Sequence, residues 1–229
     1  MHGGRSMHRP PALHRLMSAD LPPWISYCEV EDRTIILDVR ANRYFMATEA
    51  LALALKNPDY STLPRNLRDN FLRSDKAHQT YSTARDNIPA ALEHSAEAGP
   101  TSPAVASVLA AIATILSMRL QLRAFSLDRL LQKVQRTNRN CPERKPGRKL
   151  GDLIGAFECA ERLTVERDRC LLRSLALQSF LARYGHVSAL VFGVRLHPFR
   201  AHCWLQQDAT VLNDTIEVIG SFQALRTVA

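Results

Sequence analysis

The chain has 229 residues, 46% hydrophobic and 23% charged, which is ordinary for a globular protein and sets aside a chain unable to bury a core. Thirty Lys and Arg stand against 22 Asp and Glu, a net charge of +8, so an acidic partner (nucleic acid, membrane surface or acidic peptide) competes with plain solubility as the reason. The five cysteines, Cys28, Cys141, Cys159, Cys170 and Cys203, are odd in number and form no C-x-x-C, which excludes a zinc ribbon or thioredoxin-type site and favours free thiols in a reducing compartment.

The first 21 residues are basic, with no acid before Asp20 and no apolar core of the kind a secretory signal needs. They read as a disordered tail, or as an over-long start with Met17 the true first residue. Residues 24 to 46 read as three short strands: WISYCEV, TIILDV with Ile35, Leu37 and Val39 alternating, and YFMA, separated by turns at Glu31-Asp32 and Ala41-Asn42-Arg43. Thr48 caps a helix, EALALALKN, and two more polar helices are predicted at LPRNLRDNFL and about 77 to 93. Residues 22–93 thus form a small unit of three strands and three helices. EHSAEAGPTSP holds Gly99, Pro100 and Pro103 and reads as a linker over 94–103.

Residues 104–229 read as several helices followed by an antiparallel sheet, an α+β domain. The apolar run at 104 to 118 is shorter than the roughly 20 residues of a membrane span and is expected to be a core helix. SLDRLLQKVQRT places Leu127, Leu130, Leu131 and Val134 on one helical face, and KLGDLIGAFECAERLT repeats the pattern. Between them NRNCPERKPGRK is expected to be a basic loop. CLLRSLALQSFLARYG is apolar on most faces and should be a central helix ended by Gly185. Strands are expected at HVSALVFGVRL, AHCWLQ and TVLND.

The last two strands flank QQDAT, so they should form a hairpin. Folding it about Asp208 sets residue 206 against 210, 204 against 212 and 202 against 214. His202 and Asp214 become cross-strand neighbours with Cβ atoms about 4.5–5.5 Å apart. A carboxylate there holds the imidazole in one tautomer and stabilises its cation. Trp204 shares the face of His202 and could shield the pair. A one-residue slip would separate the two onto opposite faces. The matching nucleophile is Cys170, at the first turn of the most apolar helix, where free N–H groups and the helix dipole favour a thiolate. Cys170, His202 and Asp214 would make a triad, with the N–H of Cys170 as an oxyanion donor. Taken singly, a Cys at a helix start and a His on a strand are more often structural than catalytic. Cys159 is mid-helix, and Cys203 points away from the face of His202 on a regular strand, so both are weaker nucleophiles.

These residues carry a resemblance. C-L-x-x-S-L-A-L and L-x-x-x-G at 170–185, F-x-A-H-x-W at 199–204 and V-L-N-D at 211–214 resemble the lasso-peptide biosynthesis B proteins. Those are leader peptidases with a transglutaminase-like, papain-related cysteine peptidase domain, and the likeness runs over 104–229. It implies a catalytic Cys170, His202 and Asp214. ISYCEVEDRTIILDVRANRYFMATEALALAL is similar to the winged-helix-like recognition domain of peptide-modifying pathways, itself like the chaperone of pyrroloquinoline-quinone biosynthesis. The sequence departs in two places: Cys203 stands where the family often has Ala, and the basic tail has no counterpart.

The resemblance implies a ribosomal precursor peptide as partner, its leader added as a strand beside Tyr44 and Phe45, with the helix at 77 to 93 as the other wall. Either aromatic could equally belong to the core. Trp204 is the third substrate-binding candidate. A lasso cyclase of the asparagine-synthetase-like type would take the freed core peptide. No cofactor is expected on this chain; no G-x-x-x-x-G-K-[ST] loop occurs, so any ATP dependence would act through the cyclase. A cytoplasmic location, no membrane span, no nucleic acid and no metal complete the expectations. The basic loop lacks the interleaved aromatics of a base-stacking surface, and Cys170, His202 and Cys203 fit no common zinc spacing. The competing reading is a non-enzymatic carrier that binds the leader and delivers it to the cyclase.

Overall fold

The computed structural model describes residues 22–56, 94–99, 102–140, 147–164 and 169–229. The basic tail, the helices expected at 63–72 and 77–93, and the middle of the basic loop lie outside the described residues.

Three antiparallel strands come first, in the order β1-β2-β3: β1 (Ile25–Val30), β2 (Arg33–Asp38) and β3 (Arg43–Met46). Their turns fall where the polar residues put them. Glu31, Asp32 and Asn42 take φ of 47°, 63° and 48°, left-handed values that Asn and Asp tolerate best among residues with a side chain. Helix α1 (Glu49–Lys56) starts at Thr48, whose Oγ1 accepts the N–H of Leu51 at 3.4 Å.

β2 is apolar on both faces because both are covered. Ile36 packs with Ile25, Leu51 and Leu55 beneath α1. Ile35, Leu37 and Val39 enter the core built by the rest of the chain. The buried Arg226 bridges the same junction: its guanidinium donates to Ser26 Oγ at 3.1 Å and to the Pro23 carbonyl at 2.9 Å. The first sheet therefore packs on two cores, a small one of its own beneath α1 and one shared with the C-terminal elements.

The remaining elements are β4 (His94–Ser95), α2 (Val105–Ala124), α3 (Leu127–Asn140), α4 (Leu150–Thr164), α5 (Cys170–Ala182), β5 (Ala189–Arg195), β6 (Arg200–Gln207), β7 (Thr210–Val211), α6 (Ile216–Ile219) and β8 (Gln223–Val228). The second sheet has the order β4-β7-β6-β5-β8; β4 pairs parallel to β7 and the other neighbours are antiparallel. The protein is a mixed α+β structure. Leu190, Phe192, Val194, Cys203 and Leu205 turn one sheet face toward the helices, while Val191, Trp204 and Val211 turn the other toward α6 through Ile219.

Beyond α6 and β8, for which the sequence reading offered no element, and the shortened β7, three elements differ from the sequence expectation. The segment predicted as a linker carries β4, and Ala96 N–H donates to the Val211 carbonyl at 2.7 Å. Small polar residues give no side-chain pattern for a strand that needs only its backbone to pair. Gly99 then passes against α4, its N–H donating to the Gly151 carbonyl at 2.9 Å. α3 extends through the first three residues of the predicted basic loop because Asn138 is buried: it donates to the Ser188 carbonyl and accepts from Gln178, both at 2.9 Å. α2 reaches 20 residues, long and apolar enough by length and composition to span a membrane, with 28% of its most apolar window buried. Its Ala111, Ile115 and Met118 are core, whereas Leu109, Leu116 and Leu120 are exposed.

Gly193 sets how close the sheet face can come to the site. It is the cross-strand partner of His202, and a Cβ there would meet the Trp204 ring at 2.7 Å and Phe222 Cβ at 3.1 Å. Gly193→Ala is expected to destabilise the fold by about 1–3 kcal/mol through overpacking, read as a lowered Tm in thermal melts. An unchanged Tm would show that the ring has room to move.

Candidate active site

The site is assembled where β6, the start of α5 and the segment after β7 meet. Cys170 is the first residue of α5, so its sulfur sits beside helix N–H groups that no intrahelical acceptor uses. His202 lies on β6 and is partly buried, flanked by Trp204 (ring centroids 6.3 Å, planes 24° apart) and Phe222 (5.2 Å). Its Nε2 donates to Asp214 Oδ2 at 2.6 Å. Asp214 Oδ1 accepts the N–H of Thr215 at 2.9 Å, so both carboxylate oxygens are engaged. Nδ1 is the ring nitrogen left for Cys170, with which His202 also hydrogen-bonds.

The hairpin that brings His202 to Asp214 differs from the predicted one. The turn is Asp208-Ala209, with Asp208 at φ 50°, and Gln206 pairs with Val211, Gln207 with Thr210. That is one residue off the register folded about Asp208, the slip expected to put the two side chains on opposite faces. The contact survives because the ladder is short. β7 ends at Val211, and residues 212–214 form a bend in which strand alternation no longer applies.

Asn213 fixes that bend. Its Oδ1 accepts the Leu205 N–H at 2.7 Å, and its Nδ2 donates to Ser174 Oγ at 2.8 Å. Ser174 Oγ in turn donates to the Cys203 carbonyl at 3.1 Å. The buried chain Asn213–Ser174–Cys203 ties the bend, α5 and β6 together, so Asp214 and Cys170 are carried by elements locked to the strand of His202. Sequence reasoning held Ser174 and Asn213 only as letters within the motifs of the resemblance and gave neither a role. The available signal was a fully buried hydroxyl position inside the most apolar helix, which needs a polar partner.

The electrostatics favour charge separation. The Cys170 thiol is pulled down to about 4 by a hydrogen bond from the Cys203 thiol, then by hydrogen bonds from His202 and the Cys203 main chain and by the nearby imidazolium, against the opposing effect of burial. His202 is raised to about 9, first by its hydrogen bond to Asp214 and next by that to Cys170. Burial pushes the Asp214 carboxyl up, but the donors His202 and Thr215 and the positive charges of His202 and Arg173 leave it below its ordinary value. Between about pH 4 and pH 9 the pair is thiolate and imidazolium.

Cys203 is the part the sequence reading set aside. It does face away from His202, with Phe192 and Leu205 in the core. Its hydrogen bond to the Cys170 thiolate and its burial raise its own pKa well above a free thiol's, so it stays protonated and donates. Cys159 is a free thiol, partly buried on α4.

Trp204 is 3% exposed, beneath the imidazole and off the cleft wall, which leaves it a shielding position. Tyr44 is partly buried against the core and meets Phe199 edge-on at 6.3 Å; burial, followed by the nearby Cys203, Cys170 and Cys28, raises its hydroxyl pKa. Phe45 is 40% exposed. Both line a mostly apolar pocket of about 320 Å³ with Ile35, Met46, Leu196 and Phe199. A second, open cleft of about 1340 Å³ exposes Cys170 and His202.

Removing the Cys203 thiol tests its role directly. In wild-type protein, alkylation of Cys170, followed by peptide mass mapping, should stay fast until the pH falls to about 4. Cys203→Ala should move that midpoint up by about one to two units, the loss of one hydrogen bond to a charged group. An unmoved midpoint would mean that His202 alone holds the thiolate.

A family model described as Transglutaminase-like superfamily matches residues 112–227, which takes in Cys170, His202 and Asp214. No curated protein and no solved structure matches the chain.

Proposed function

The chain belongs to the transglutaminase-like superfamily, and from that premise we propose that it is a cysteine peptidase that removes the leader from a lasso-peptide precursor. The observation that carries the reading is the 2.6 Å contact of His202 Nε2 with Asp214 Oδ2, on an imidazole that also hydrogen-bonds Cys170 at a helix start. That is the arrangement thiol acyl chemistry requires.

The steps follow from the charges. The Cys170 thiolate attacks the scissile carbonyl carbon; the new S–C bond forms and the carbonyl pair moves to oxygen, toward the N–H of Cys170. His202 gives its Nδ1 proton to the departing nitrogen as the C–N bond breaks, which leaves a thioester and a neutral imidazole. Nδ1 then takes a proton from water, the hydroxide attacks the thioester, and the thiolate departs. Asp214 keeps Nε2 protonated throughout, so Nδ1 remains the nitrogen that gives and takes.

The likeness of residues 25–55 to a leader-recognition domain supports the binding half of the proposal. β3 is an edge of its described sheet, and Tyr44 and Phe45 stand on it beside an apolar pocket. An extended leader adding there would gain main-chain hydrogen bonds from the strand and side-chain selection from the pocket. The +8 charge suits an acidic leader. A partner cyclase of the asparagine-synthetase-like type would close the macrolactam and account for any ATP dependence, and a reducing cytoplasm would keep Cys170 and Cys203 as thiols.

The carrier alternative differs in one measurable respect. Cys170→Ala should abolish cleavage of the precursor peptide, read by mass spectrometry, while leader binding by anisotropy persists; undiminished cleavage would remove Cys170 from the mechanism, and binding with no cleavage by the wild type and its cyclase would favour the carrier. In the active enzyme, kcat/KM should follow a bell with limbs near 4, where the thiolate is protonated, and near 9, where the imidazolium is lost. Asp214→Asn should lower kcat by about 10²–10⁴-fold by releasing the tautomer.

A further inference from the structure

The cleft around Cys170 and His202 carries a built-in charge pattern. On the β5–β6 hairpin Arg195 and Arg200 are direct cross-strand partners, and Gly193 and His202 are the next pair on the same face. Two guanidinium groups therefore stand opposite each other one step from the imidazole, and both line the cleft. Like charges directly opposite on antiparallel strands repel, a cost that an anion between them would reverse.

Neither cation is neutralised by the described residues. Arg195 Cζ lies 5.3 Å from the centroid of the Phe222 ring, and that ring is 5.2 Å from His202, so the guanidinium is held in place by a face contact that leaves its N–H groups free to bond. Its Nε is buried without a hydrogen-bond partner. Of the carboxylates nearby, Glu161 holds Arg173 at 2.7 Å, Asp214 is saturated by His202 and Thr215, Glu217 hydrogen-bonds Thr215, and Glu158, which also lines the cleft, makes no ion pair with either arginine among the described residues.

We propose that Arg195 and Arg200 form an anion subsite that takes an Asp or Glu side chain of the substrate peptide close to the scissile bond. Paired guanidinium groups bind a carboxylate through charge-assisted, directional hydrogen bonds, and a basic side chain at the same place is repelled. The subsite deepens the peptidase reading and rests on it.

The test is cleavage by the full chain of an equimolar library of synthetic peptides, N-acetylated and made in both amide and free-acid C-terminal forms, with every cut read by mass spectrometry. Cuts flanked by Asp or Glu should outnumber their Asn and Gln counterparts by about tenfold in both forms, the scale of one hydrogen-bonded charge pair. Arg195→Gln with Arg200→Gln should erase the preference while neutral iodoacetamide still alkylates Cys170 at the wild-type rate, and the double Lys variant should restore part of it. Absence of the preference in the wild type, or its survival in the Gln double variant, overturns the subsite and leaves the peptidase intact. A preference confined to free-acid peptides overturns the side-chain assignment in favour of a terminal carboxylate. Cutting of no peptide, with Cys170 still fast toward iodoacetamide, overturns the peptidase reading and the subsite together.

Discussion

The Asn213 side chain holds three separate pieces of chain at one distance from each other. By accepting from Leu205 N–H and donating to Ser174, which itself donates to the Cys203 carbonyl, it ties the bend before α6 to β6 and to α5. Each of those pieces carries one member of the candidate triad within a few residues: Asp214 follows Asn213, His202 precedes Cys203, and Cys170 lies one helical turn before Ser174. A buried network of this kind is costly when half-made and rigid when complete. Its completeness is what allows a 2.6 Å contact between His202 and Asp214 without a regular strand pairing to enforce it.

Much of this was legible in the sequence, for identifiable reasons. The helices from 127 and from 150 and the strand of β5 announce themselves by apolar periodicity, and Cys170 at a helix start follows from the abrupt change from ERDR to CLLRSLAL. The convergence of His202 with Asp214 was legible too, though through a hairpin register that the structure does not have. The sequence pattern constrains which residues end a strand less tightly than it constrains which residues belong to it; β7 stops at Val211, and the bend then reaches the imidazole by another route. What could not be read was decided by backbone or by buried polar atoms. β4 pairs through main-chain groups of a small, polar stretch, and Asn138 prolongs α3 by satisfying Ser188 and Gln178, partners 50 and 40 residues away.

Cys203 shows how a residue outside the reacting set can govern it. Burial alone would raise a thiol's pKa and make Cys170 inert. The S–H of Cys203 and the imidazolium of His202 more than offset that burial, so the sulfur is both enclosed and ionised. Across the sheet, Trp204 and Phe222 wall off the imidazole, and Gly193 gives the indole the space to do so. The first sheet, sharing its core through Ile35, Leu37 and Val39, brings an apolar pocket at Tyr44 and Phe45 to the turn end of the β5–β6 hairpin, whose α6-facing side carries the arginines and His202. Leader binding and bond cleavage would then be joined through one rigid hairpin.

The proposed chemistry stands on a thiolate–imidazolium pair at rest, and the imidazole reports it most directly. A heteronuclear NMR titration of the full chain labelled at the histidine rings, with His202 assigned by its substitution, should find that ring protonated at neutral pH and titrating near 9, with the value falling when Cys170 is replaced by Ala. A His202 ring that titrates near 6.5 and ignores the loss of the Cys170 sulfur would mean that the two side chains do not share charge, and the chemistry built on them would not hold.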